Sequence, residues 1–461
     1  MIKKYFGTDG IRGKANQHPM TADVALRVAM ATAKVLRTLN QSTLDHSRNN
    51  NSMNRVVIGK DTRRSCYMLE QAMTAGFLSC GMDVILTGPI PTPAVAILTR
   101  SLRADCGVMI SASHNPHDDN GIKLFANDGY KLPDDVELQI EHWMDHPELM
   151  HGMPSSESMG RASRLDDATG RYIEYVKASV PKGQTLSGLK IILDCANGAA
   201  YKAAPQALWE LEADVTVIGN QPNGVNINLE CGATNIAALQ ARVLSDKADI
   251  GIALDGDADR VIIVDELGQK IDGDQLLASL ALSLKSSHAL VANTIVATVM
   301  SNLGFERFCA TNGMELIRAA VGDRYVVEQM KSGGYSLGGE QSGHIVMSNF
   351  GTTGDGLLAA IQILSLVKES GKRASEALKQ FNPVPQILKN IRYQAGKNPM
   401  GLQAVNDAIK QAEIRLDKQG RLLVRASGTE PLVRIMAEGD DAKLIEKIVD
   451  DLANIISGEL K

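Results

Sequence analysis

RADCGVMISAS at residues 103–113 returns at 247–257 as KADIGIALDGD, matching in residue type at most positions. Each copy reads as a buried strand, apolar and β-branched, that stops at a polar turn. In the first copy the turn runs on as HNPHD to residue 118. Pro116 has no N–H to give to a ladder, so it ends the strand and leaves Ser113 and His114 at the tip. A weaker third echo is GYSLGGE at 334–340, followed by QSG and His344; GYKL at 129–132 is matched by GQKI at 268–271. A strand–loop unit used repeatedly implies related domains whose loops aim at one cleft. Strand ends are also where open α/β sheets place their ligands.

The rest of the chain fits that frame. Strand-like runs at 56–58, 84–86, 108–111, 191–193, 215–218, 250–254 and 295–299 alternate with helical patterns such as 22–39 and 236–246. Alternation of this kind predicts α/β domains with parallel or mixed sheets flanked by helices. A polar, Asn/Ser-rich stretch at 41–54 reads as an exposed loop, and 153–163 as a linker. From about residue 372 the pattern changes. A strand at 386–393, a helix at 401–414, two closely spaced strands at 421–425 and 432–437 and a helix at 441–456 predict a separate α+β domain with antiparallel pairing.

At 461 residues the chain exceeds one ordinary core. A net charge of −5 argues against general nucleic-acid binding, which needs a basic surface. No apolar run is long enough to span a bilayer and the N-terminus carries no signal-type segment, so a cytoplasmic protein is expected. The six cysteines are scattered without a Cys-x-x-Cys pair and read as buried free thiols.

Three segments carry chemistry. DGDADR places Asp255, Asp257 and Asp259 at a period of two, followed by Arg260. A solvated acidic turn would account for the carboxylates, but the apolar flanks argue for burial, where three anions need a hard cation. An EF-hand is excluded because its sixth position, here Arg260, must be glycine and its flanks must be helical. Mg²⁺ fits better, since it takes few carboxylates and completes its shell with phosphate oxygens. RASGTEPLVR brings Arg425, Ser427, Gly428, Thr429 and Arg434 together as an anion cradle, although a tight hairpin with solvated arginines has the same composition. GEQSGH offers Glu340 and Ser342 to sugar hydroxyls and His344 to a phosphate; a glycine-rich turn is the plain alternative. Ser113 has three readings: a hydrolase nucleophile, disfavoured without a Gly-x-Ser-x-Gly elbow; a capping serine; or a phosphorylated serine whose charge completes a cation site. The last uses most features at once.

Taken with FGTDGIRG at 6–13, GKDTR at 59–63, NGIK at 120–123, GDRY at 322–325 and TTGDG at 352–356, these motifs resemble the α-D-phosphohexomutase superfamily, in particular its branch acting on glucosamine phosphates. They span nearly the whole chain in the family's order. The resemblance implies three related α/β domains and a C-terminal α+β domain, heart-shaped around a central cleft. The expected division is a phosphoserine-bearing domain at 1–155, a metal-loop domain at 156–254, a sugar-binding domain at 255–371 and a phosphate-binding domain at 372–461.

The implied activity is interconversion of glucosamine 6-phosphate and glucosamine 1-phosphate on the route to UDP-N-acetylglucosamine, with glucosamine 1,6-bisphosphate as intermediate. Ser113 would be the phosphoserine, with His114 beside it, and Asp255, Asp257 and Asp259 would bind one Mg²⁺ with a phosphoserine oxygen. Arg12, Lys123, Arg260 and His344 would line the reacting end, with Lys123 or His344 as proton acceptor. Glu340 and Ser342 would hold the sugar, and Arg425, Ser427, Gly428, Thr429 and Arg434 the distal phosphate. A hinge is expected near 372–382. The partners expected are a phosphosugar and, as an option left open, a second copy of the chain, with no nucleic acid and no membrane. Mannose or glucose phosphate as substrate, or a non-catalytic sugar-phosphate binding protein, are the alternative functions.

Overall fold

The computed structural model describes residues 3–43, 54–394, 399–426 and 431–459. The chain divides into two compact units, one of Met1–Thr298 with Ala319–Lys379 and the other of Val299–Arg318 with Gln380–Lys461. Among the described residues no helix is long and apolar enough to cross a membrane.

The first unit contains the three copies of the repeated strand–loop unit. In its seven-stranded sheet Cys106–Ile110 runs parallel to Arg55–Lys60 and antiparallel to Asp119–Ala126. In the five-stranded sheet Ile250–Leu254 runs parallel to Lys190–Asp194 and antiparallel to Val261–Asp265. Leu337–Gly339 in turn runs parallel to Thr294–Thr298 and antiparallel to Ile345–Met347. Each central strand thus has a parallel neighbour on one side and its own returning strand on the other. The loop at the turn carries Ser113, then the three aspartates, then Glu340 to His344. The faint echo at 334–344 is therefore a true third copy. The segment expected to be a linker contributes an edge strand, Ala162–Arg164, parallel to Asp83–Pro89.

The mixed pairing explains the composition. Central strands buried on both faces must be apolar, and Cys106–Ile110 and Ile250–Leu254 are buried at every position, as are Val261 to Val264 of the return strand. Each buried Val, Leu or Ile side chain contributes roughly 1.5–3 kcal/mol of transfer free energy. The acidic loop joins two hydrogen-bonded neighbours, and their sheet continues to Ile271. A boundary at 254/255 would cut that sheet in two; short antiparallel return strands have no sequence mark that separates them from the start of a new domain.

The second unit has a three-stranded antiparallel sheet in the order Gln386–Arg392, Leu432–Gly439, Gly420–Ala426, as short connections predicted. Alternation along Leu432–Gly439 sends Val433, Ile435 and Ala437 into a core with residues of the helices Gln403–Leu416 and Ala442–Glu459. The excursion Val299–Arg318 joins this unit, which the linear division does not anticipate. Its attachment is polar: buried Glu438 accepts the Leu303 N–H (3.0 Å) and the Arg421 guanidinium, Asn302 bonds both ways with the Val384 backbone (3.0 Å each), and Arg307 pairs with Asp440. The chain passes between the units at Lys379/Gln380, within the stretch expected to hinge.

Candidate active site

Ser113 occupies the left-handed region, with φ +51°, a strained conformation for a residue with a side chain. Two side chains hold it there. The fully buried Arg63 donates to the carbonyls of Ser113 (3.2 Å) and Asn115 (2.6 Å), and Asn228 donates to the same two oxygens at 2.9 and 3.0 Å. Arg63 is itself fixed by an ion pair with Asp61. The turn is thereby clamped by side chains from two separate loops, and the hydroxyl of Ser113 is aimed at the acidic loop, donating to Asp255 Oδ2 at 2.6 Å. Gly256 permits this approach: a Cβ there would collide with the Ser113 carbonyl oxygen.

Asp255, Asp257 and Asp259 are all buried, and each offers one oxygen within 4.8 Å of the others. Lys123, 1% exposed, is their buried counter-ion, with Nζ 2.9 Å from Asp257 and 3.3 Å from Asp259 and from Asp9. Thr92 adds its hydroxyl (2.6 Å) to Asp257 and its N–H (2.9 Å) to the carbonyl of the same residue. Even so, Asp257 Oδ1 and Asp259 Oδ1 are buried without a hydrogen-bond partner. Orphaned buried carboxylate oxygens converging from one loop are the donor set a small hard cation requires, so the residues fit a divalent ion.

The electrostatics divide the aspartates. Burial, followed by repulsion from Asp259 and Asp257, drives the Asp255 carboxyl well above the usual range, against the Ser113 hydroxyl. Burial opposes ionisation of Asp259 too, but Lys123, then His344 and Arg260, hold it well below that range. For Lys123 burial is outweighed by Asp257, Asp9 and Asp259, and the ammonium stays charged. Burial, with Arg260 and Arg12, pushes His114 down to about 4, leaving a neutral imidazole whose Nδ1 is 3.4 Å from the Ser113 hydroxyl.

The third loop closes on the second. Arg260 and His344 form an antiparallel bridge, and the Arg260 N–H donates to Asp255 Oδ1 at 3.2 Å. His344 is buried between two carboxylates, Nδ1 3.7 Å from Asp259 and Nε2 3.6 Å from Asp323. Glu340 accepts from the Ser342 hydroxyl (3.1 Å) and the Gly322 N–H (3.2 Å). Arg12, on the strand Gly10–Lys14, pairs with Asp9 and lies 3.4 Å from the Ala112 carbonyl.

Ser113, His114, Lys123, Arg12, Arg260, Asp255, Asp257, Asp259 and His344 therefore converge, with Glu340 and Ser342 on the same loop as His344. In the second unit Arg425 and Arg434 are directly opposed across the sheet, on the face away from the helices. Two adjacent guanidiniums, one with a buried unpartnered Nε, favour an anion between them. Ser427, Gly428 and Thr429 lie outside the described residues.

Sequence reasoning assigned no role to Arg63, Asn228, Thr92, Asp9, Lys131 or Asp323. Asp9, Arg63 and Asp323 lie in noticed motifs. Lys131 lies in the GYKL repeat and pairs with both Asp9 and Asp323. Thr92 and Asn228 carried no local signal.

Models of the four phosphoglucomutase/phosphomannomutase domains match the chain in order: alpha/beta/alpha domain I at residues 3–149, domain II at 170–268, domain III at 272–384 and the C-terminal domain at 388–455. The phosphoglucosamine mutase of Agrobacterium fabrum is 58% identical over 460 residues, covering 99% of both chains. That of Rhizobium meliloti is 59% identical over 458 residues with the same coverage.

The chain belongs to the phosphoglucosamine mutase family.

The fold of this mutase family member is shared by a putative phosphomannomutase of Thermus thermophilus (TM-score 0.77, 25% identity, 98% and 99% of the two chains). It is shared too by the N-acetylphosphoglucosamine mutase of Aspergillus fumigatus, solved with GlcNAc-6P and magnesium (TM-score 0.66, 17% identity, 99% and 96%).

Proposed function

We infer that the chain is an isomerase interconverting glucosamine 6-phosphate and glucosamine 1-phosphate. The observation that carries this reading is the Ser113 hydroxyl, held at a strained turn 2.6 Å from a buried three-aspartate loop, in a chain 58% identical end to end to a phosphoglucosamine mutase.

Ser113 in its phosphorylated form is the phosphoryl donor. The P–Oγ bond breaks as a P–O bond forms to O1 of glucosamine 6-phosphate, and the O1 proton leaves to a base. The 1,6-bisphosphate turns end for end, and its 6-phosphoryl group returns to Ser113, which frees the 1-phosphate. Such transfers depend on in-line positioning and charge neutralisation. Lys123 meets the second need: three carboxylates keep it an ammonium, so it stabilises charge and does not accept the proton. Neutral His114, whose Nδ1 lies 3.4 Å from the Ser113 hydroxyl, is the proton acceptor we propose, with His344, Arg12 and Arg260 steadying the phosphoryl oxygens.

Asp255, Asp257 and Asp259 would hold the divalent cation, for which we propose Mg²⁺; when bound it supplies Lewis-acid neutralisation of phosphoryl charge. Glu340 and Ser342 hold the sugar, and Arg425 and Arg434, with residues 427–429, the distal phosphate. Four parts of the chain share these tasks: serine, cation, sugar and distal phosphate follow one another in sequence order.

Intact-mass measurement should show one phosphate, located on Ser113, and a coupled assay should favour glucosamine phosphates over mannose and glucose phosphates. Ser113→Ala should lose both the phosphate and at least roughly a thousandfold in turnover while keeping its melting temperature. Full turnover in that variant would end the mechanism, and a preference for hexose phosphates would end the substrate assignment.

A further inference from the structure

The stretch Thr352 to Gly356 supplies none of the groups assigned to phosphoryl, sugar or cation, yet it is buried and tied to several parts of the first unit. The Thr352 hydroxyl donates to the Gly129 carbonyl at 2.6 Å, and the Asp355 N–H to that of Ile345 at 3.2 Å. The Gly356 N–H donates to the carbonyl of Ala258, inside the acidic loop, at 3.0 Å. Between them, the Gly354 N–H donates to Nε2 of His344 at 3.1 Å.

That last bond settles a choice the carboxylates leave open. Asp259 and Asp323 flank the imidazole at 3.7 and 3.6 Å, so either ring orientation finds an acceptor on each side. A backbone N–H is only a donor, and the nitrogen it meets must offer a lone pair. Nε2 is then bare, and the proton of the neutral ring is on Nδ1, facing Asp259. Space works in the same direction. A Cβ on Gly354 would lie closer than 3.0 Å to three atoms of the His344 ring. The backbone there is outside the left-handed region, so glycine serves contact and not φ.

We infer that Gly354 is the positioning residue of His344: its N–H and bare Cα set the ring plane and select the nitrogen that faces the acidic loop. The bonds of Thr352 and Gly356 hold Gly354 in register with that loop. The inference rests on the reading of His344 as a reacting-end group.

Gly354→Ala should lower kcat for glucosamine phosphate interconversion by at least about tenfold with KM within about twofold. Placed on His344→Ala, the same change should cost nothing further, because residues acting as one unit are not additive. In protein labelled with ¹⁵N-histidine, wild-type His344 should show an unprotonated Nε2 coupled to the Gly354 amide, a signature absent from Gly354→Ala. A cost that persists without the imidazole, unchanged kcat, or a wild-type ring protonated on Nε2 in its neutral form would overturn the inference. Should Gly354→Ala fail to fold, the wild-type spectrum alone decides. Full turnover in His344→Ala would remove the underlying reading instead, while the spectrum still reports the ring's orientation.

Discussion

Lys123 combines a structural position with the chemical role proposed for it. Its ammonium is buried among Asp9, Asp257 and Asp259, and neither side could be buried so deeply alone. Removing one partner of a buried ion pair costs about 3–5 kcal/mol, because the remaining charge is left uncompensated. Lys123→Met should therefore destabilise the cation-free protein by about that amount. A bound divalent cation would restore much of the missing positive charge, so Mg²⁺ should raise the melting temperature of Lys123→Met more than that of the wild type. Equal increments, measured by calorimetry with and without Mg²⁺, would show that the lysine and the cation do not share the same carboxylates. Arg63 works differently. Beyond its own ion pair it donates to backbone oxygens of the serine turn and to the Ser111 hydroxyl (3.5 Å), so any effect it has on the proposed chemistry runs through the strained φ of Ser113.

At the scale of elements, the three repeated loops owe their positions to short return strands, and a side-chain-capped helix follows the third. The helix Gly356–Ser370 starts at Asp355, whose carboxylate accepts the Leu358 N–H (2.9 Å) and the Tyr172 hydroxyl (2.7 Å). Burial is the dominant effect on this carboxyl and raises its pKa to about 6 despite those bonds. Between roughly pH 4 and 6 the native chain then holds a proton that the unfolded chain has released. Stability must fall as pH rises through that window and remain lower above it. Asp355→Asn removes the titration while keeping an acceptor for both bonds. Its stability relative to wild type should climb by on the order of 3 kcal/mol between pH 4 and 6 and then level off. Urea unfolding across that range gives the comparison, and a constant difference between the two proteins would refute the assignment.

For the molecule as a whole, the acidic loop is where stability and the proposed function meet. A ligand bound only by the native state stabilises it by about 2.7 kcal/mol at a hundred times its Kd. Chelation should accordingly stop turnover reversibly and lower the melting temperature, and Mg²⁺ should restore both. Hydrogen exchange should show protection by Mg²⁺ in peptides covering 111–118 and 254–262. Peptides of the second unit, 380–394 and 399–426, should show none. Protection confined to other peptides, or turnover that survives chelation, would place the cation elsewhere.

Much of this was legible beforehand because it is encoded over short distances. The strand runs, the antiparallel C-terminal sheet, the serine turn and the period-two aspartates are local patterns, and a match between residues 103–113 and 247–257 needs no coordinates to be seen. Local pattern also carried the chemistry as far as phosphoryl transfer, since three buried carboxylates demand a cation and a strand-end serine can carry a phosphate. What the tertiary structure alone decided is which distant atoms meet. Asn228 and Arg63 come together on one pair of carbonyls, Thr92 reaches Asp257, and Gly354 reaches His344, with no spacing or motif to announce any of these contacts. The assignment of residues 299–318 to the second unit is of the same kind. Hydrogen bonds and ion pairs act over about 3 Å, and two residues far apart in sequence reach that distance only after the sheets between them have set their register.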